Sequence, residues 1–103
     1  MNENELSAKA HFEREMAPIA FTELQKHFAK GILIEVSQEL DLIEVAMKIH
    51  EDDALAIKNW MDEEKIVRAH DEHAKVWLAN EAQLIAVTSA PWVLVQEIKA
   101  TGE

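Results

Sequence analysis

Residues 84–98, Leu-Ile-Ala-Val-Thr-Ser-Ala-Pro-Trp-Val-Leu-Val-Gln-Glu-Ile, cannot remain in water, and a chain that carries them must fold so as to cover them. Two runs rich in Val, Ile and Leu flank Thr88, Ser89, Ala90 and Pro91. Pro91 lacks the N–H that a central ladder demands, so the pattern predicts a bend between two strands, a β-hairpin, in place of one long strand. Residues 84–87 are apolar throughout, which predicts a strand covered on both faces by helices or by another subunit.

Upstream of the hairpin the periodicity is mostly helical. Residues 4–16 carry a poor stripe, Leu6, Ala10, Phe12 and Met16, with Glu5 and Lys9 as an i,i+4 pair, and predict a helix that packs loosely. Pro18 breaks that pattern. A second helix is expected over 19–30, with Phe21, Leu24 and Phe28 on one face, cations at Lys26, His27 and Lys30 near its end, and Gly31 as the closing residue. Residues 32–36 predict a strand with Ile32, Ile34 and Val36 on one face and Leu33 and Glu35 on the other, so that Glu35 points to an edge or a wet face.

Asp41 followed by Glu44 is a capping-box pattern that opens a third helix, on which Leu42, Val45, Ala46 and Ile49 form the clearest apolar face in the chain. Asp53 is placed to cap a fourth, in which Ala54, Ile57, Trp60 and Met61 share a face. Residues 65–69 predict a short strand of limited burial. His70 or Asp71 then opens a fifth helix with Ala74, Trp77 and Leu78 turned inward. The order ααβααβαββ describes an α+β fold, a small mixed sheet of about four strands packed against about five helices, with the passage 65–88 read as a right-handed crossover. One domain spans residues 1–103, frayed at 1–4 and 99–103.

Composition narrows the classes of function. The chain has no cysteine, which excludes disulfides and thiolate chemistry and fits the reducing cytoplasm. No apolar leader follows the acidic N-terminus, and no run approaches the roughly 20 apolar residues that cross a bilayer. The net charge is −10, and residues 35–72 hold 12 acidic against 4 basic side chains. A surface of that sign repels phosphate, so nucleic acid is not an expected partner, and without an apolar run neither is a membrane. The charge serves solubility on its plain reading and a docking face for a basic protein on its sharper one.

Few residues offer chemistry. His70 and His73 are spaced to share a helical face around a metal ion with Asp71 or Glu72, unless Asp71 is the cap and His70 lies outside the helix. His50-Glu51-Asp52-Asp53 resembles a cluster for a hard cation but lacks the spaced ligands and glycine of a calcium loop, and an interhelical turn fits it better. Glu97, after an apolar run, stands either at the mouth of a pocket or where a strand emerges into solvent. Trp60 and Trp77 fall on inward faces. Trp92 follows the turn, where its ring can cover a partner or a pocket rim. Thr88 and Ser89 have no base nearby in sequence, and two glycines, Gly31 and Gly102, cannot build a phosphate loop.

Phe-Thr-Glu-Leu-Gln-Lys-His-Phe-Ala-Lys-Gly at 21–31, Leu-Asp-Leu-Ile-Glu-Val-Ala at 40–46 and Ala-Pro-Trp-Val-Leu-Val-Gln-Glu at 90–97 resemble a bacterial family of uncharacterised proteins, domain-of-unknown-function family 2288. The resemblance runs from about residue 6 to residue 97 and implies a bacterial, single-domain, intracellular protein with no assigned activity, cofactor or site. Glu35 departs from it, standing where an apolar residue is expected.

Two functions of different class fit this chain. One is a small soluble non-enzymatic interaction or assembly module, a homodimer in which the hairpin or its Trp92 end is shielded by a second copy. The alternative is a small-ligand or metal site drawing on His70, His73, His50 and Glu97. No catalytic motif is present, and no cofactor is called for.

Overall fold

The expected hairpin is the middle of a five-stranded sheet in the computed structural model of the protein, which describes residues 3–98 and side chains from residue 7. Its strands are β4 (Gln83–Ser89) and β5 (Trp92–Glu97), paired antiparallel from Leu84 opposite Glu97 to Ser89 opposite Trp92. The turn is tighter than the sequence predicts. Thr88 and Ser89 belong to β4, and only Ala90 and Pro91, joined by a cis peptide bond, lie between the strands.

Further strands flank the hairpin on both sides. β1 (Ala17–Ala20) pairs antiparallel with β4, while β2 (Leu33–Val36) pairs parallel with β5 and antiparallel with β3 (Ile66–Arg68), giving the order β1-β4-β5-β2-β3. β3 and β4 therefore run in the same direction with β5 and β2 between them. β1 corrects the expected helix over 19–30, which is instead β1, a single 3-10 turn (Phe21–Leu24) and a short helix α2 (Gln25–Ala29). Four residues with a proline carry little strand signal of their own; the ladder to β4 makes the strand.

The remaining helices are α1 (Glu3–Glu15), α3 (Leu42–His50), α4 (Ala54–Asp62) and α5 (Asp71–Asn80). Asp41 caps α3 by accepting from the Ile43 and Glu44 backbone N–H groups, and Asp53 caps α4 by accepting from that of Ala56. Gly31, at φ 74°, closes α2 in the left-handed conformation that L-residues avoid.

Alternation along the strands splits the core in two. Val36, Ile66, Val87 and Leu94 face α1, α3 and α4, where Phe12, Leu42, Val45 and Ala46 are buried against them. Phe12 thereby anchors α1 more firmly than its poor stripe predicts. On the other face Leu33, Leu84, Val93 and Val95 pack against Phe21, Leu24 and Trp77 from the 3-10 turn and α5. Ile32 belongs with this second cluster, not on the face of Ile34 and Val36, because it precedes the strand. Leu84 and Val87 are thus buried on opposite faces under the protein's own helices. No described helix is long and apolar enough to cross a membrane. Of the residues expected to fray, 1–4 and 99–103, Glu3 and Asn4 instead open α1, while 1–2 and 99–103, and the packing of Leu6, lie outside the described residues.

Candidate functional site

On the face carrying α3 and α4, the sheet is not fully covered. An open groove of about 710 Å³ lies between α4 and the β2–β3 edge. Ile34 and Ile66 from the sheet form its floor, Ile57 and Met61 from α4 one wall, and Ile49 and Trp92 close it from α3 and the hairpin. The volume falls inside the roughly 300–1,000 Å³ typical of small-molecule sites. Ala54, Ile57 and Met61 do share a helical face, as expected, but this face borders the groove, so that Met61 stays 57% exposed. Trp60, on the same helix, packs against the first core cluster.

Charges gather only at the rim. Lys58 and Asp62 neutralise each other at 2.7 Å, one helical turn apart. Arg68, the register partner of Ile34, stands on the groove side of the edge strand with its guanidinium 5.4 Å from the centre of the Trp92 ring. Among the described residues no carboxylate pairs with Arg68 and none of its N–H groups makes a hydrogen bond to another side chain. Asp52, in the left-handed turn after α3, is the other rim charge without an ion pair among the described residues. Of the two roles expected of Trp92, it takes the pocket rim, and it also packs against the first core cluster, which the sequence did not suggest.

The residues singled out for metal or acid–base chemistry lie elsewhere. His70 and His73 do come together, ring centroids 4.2 Å apart, but as the cap of α5. The His70 backbone N–H donates to His73 Nδ1 at 3.1 Å, and His70 Nδ1 accepts from the Glu72 N–H at 3.3 Å. His70 is therefore the cap, and Asp71 is the first helical residue. Both Nδ1 atoms are spent on the backbone, and His73 stacks on toward Trp77 at 5.4 Å. Burial first and His70 second hold the His73 imidazole below its ordinary range.

His50 lies edge-on to Phe12, while Lys48 reaches both Glu51 at 3.7 Å and Asp53 at 3.6 Å. The acidic corner is a capped, ion-paired turn. Among the described residues no three His, Asp or Glu side chains are grouped to hold a metal ion. Glu97 is exposed at the end of β5, on the same sheet face as Glu35. Glu35, half-buried between Val67 and Val95, has its carboxyl pushed up by burial and then by Glu97. Ser89 is buried and donates its hydroxyl to the Ala46 carbonyl at 3.0 Å, and Thr88 is exposed.

Sequence reasoning marked Trp92 and overlooked Arg68 and Ile34. Its one available signal was the alternation in β3, where the face that begins with Ile66 ends in a cation. A second hollow, about 280 Å³ between the 3-10 turn and the end of α5, is below the usual ligand range.

No curated protein matches the chain in sequence. Its fold is similar to the NMR solution structure of PA1075 from Pseudomonas aeruginosa, with 34% identity, a TM-score of 0.83, and coverage of 100% of this chain and 95% of that one. The family model described as Protein of unknown function (DUF2288) matches residues 7–97, and the chain belongs to that family.

Proposed function

We propose that the protein is a non-enzymatic binding module whose ligand, a small molecule with an apolar body, seats in the groove between α4 and the β2–β3 edge. One observation carries this reading: an apolar trough of about 710 Å³ is left open beside a sheet whose other inward surfaces are covered. Burying apolar surface there releases about 25 cal/mol per Å² before the costs of binding. The titratable groups with displaced pKa values, Glu35, Lys65 and His73, are not part of the groove, which favours binding over acid–base chemistry in it.

The test is an NMR titration of isotope-labelled protein with 1-decanol. Shifts concentrated at Ile34, Ile57, Ile66 and the Trp92 indole, and abolished in Ile57→Glu, support the reading. Shifts scattered over the surface, or none at saturation, overturn it.

Leu55 supports a second reading, the assembly of two copies. It is 70% exposed on the outer side of α4 and is not part of the groove. Lys58 and Asp62, further along the same helix, offer charges of both signs in a chain of net charge −10, which lowers the repulsion a second copy meets here. Sedimentation velocity in the micromolar range decides the matter: a dimer dispersed by Leu55→Asp supports it, and a monomer at every concentration removes it.

A further inference from the structure

We propose that the ligand of this groove carries a carboxylate, held by Arg68 against Trp92, on an unbranched apolar body that lies over Ile34, Ile57 and Ile66. The proposal rests on the groove being a binding site and adds the chemistry of what fills it.

Arg68 projects from a three-residue edge strand, the same face of which is apolar at Ile66. Its guanidinium has no carboxylate partner among the described residues, although the chain holds 20 acidic side chains against 10 basic ones. An arginine left unpaired amid that excess has been kept clear of the protein's own acids by its position. The guanidinium carbon lies over the Trp92 ring, 5.4 Å from its centre, which restrains the direction of the group, while its N–H groups donate to no other side chain among the described residues. A planar cation with free edge donors matches a carboxylate in bidentate geometry. The apolar trough begins directly beside it, because Ile34 is the cross-strand neighbour of Arg68. A charged head and an apolar tail are thus received by adjoining surfaces.

The other rim charges favour the same choice. Lys58 is occupied by Asp62. Asp52 has no cation partner among the described residues and stands in the left-handed turn between α3 and α4, outside the Arg68–Trp92 pair. An ammonium head therefore has a carboxylate to meet but no counterpart of the Arg68–Trp92 platform.

The experiment compares decanoate, 1-decanol and decylamine, all below their aggregation limits, by calorimetry and by shifts of the Trp92 indole signal. Decanoate binds about tenfold or more tighter than the alcohol, as a charge-assisted hydrogen bond requires. Arg68→Gln removes that advantage, so that decanoate and 1-decanol bind the variant alike; the substitution lies on an exposed edge position, and the protein's thermal midpoint shows whether the fold is retained. Added salt weakens the decanoate complex alone. Equal binding of acid and alcohol, or of acid and amine, overturns the carboxylate assignment while leaving the groove a binding site. Binding of none of the three overturns both.

Discussion

Asp41, Asp53 and His70 each close the first turn of a helix, the first two with a carboxylate oxygen and the third with an imidazole nitrogen. Asp41→Ala, which removes an acceptor for two N–H groups, is expected to cost about 1 kcal/mol in thermal unfolding. At the other end of α5, Glu81 adopts φ 50°, a conformation that costs an L-residue roughly 1–2 kcal/mol. Glu81→Gly relieves it, and the thermal midpoint should rise by several degrees. His73 and Glu35, both shifted first of all by burial, act oppositely with pH. His73 favours its neutral form in the fold, so stability falls as pH drops below the ordinary imidazole value of about 6.5. His73→Gln keeps an acceptor for the His70 N–H, and should flatten that part of the pH–stability curve in urea titrations. Glu35 favours its protonated form, so its contribution is complete below pH 4.5 and is lost as pH rises through the higher folded value. Glu35→Gln should stabilise the protein at pH 7 and leave it unchanged at pH 4.

Among the elements, α5 shows how a single ring can hold a helix. Trp77 is 4% exposed against Phe21, whereas Leu78, which its spacing predicts to face inward, is 46% exposed. Trp77→Ala is expected to cost about 3–5 kcal/mol in urea denaturation, and Leu78→Ala about 0.5 kcal/mol or less. The helices α3 and α4 and the hairpin could be read from residues alone because local chemistry and periodicity agree there: Asp41 before Leu42, Asp53 before Ala54, and Pro91 between two apolar runs. β1 could not. Ala17-Pro18-Ile19-Ala20 has no alternation, and its strand character comes from pairing with residues 83–86, more than 60 positions away. The groove was hidden for the same reason. Ile34, Ile57, Ile66, Arg68 and Trp92 come from four elements, and only the strand order β5-β2-β3 sets them side by side. The histidine pair was visible but its use was not, since the i,i+3 spacing that suits a metal also suits a capping box.

At the scale of the whole molecule, the charge of −10 is spread over exposed side chains whose ion pairs, such as Lys75 with Glu72 at 3.8 Å, are surface contacts worth little individually. Mutual repulsion therefore outweighs them. Raising NaCl from 10 to 200 mM, which shortens the screening length from about 30 Å to less than 10 Å, should raise the thermal midpoint. The β2–α3 loop is tied across the sheet, since the Gln96 side chain donates to the Ser37 and Leu40 carbonyls at 2.8 Å each and that of Gln38 donates to the Glu97 carbonyl. Both rims of the sheet are blunt: one margin is a four-residue strand with Pro18, which has no N–H to give, and the other is three residues long. A foreign strand finds no template at either margin, so runaway stacking of copies into fibres lacks a starting point, and a protein built around so greasy a hairpin stays safe at high concentration in its native form.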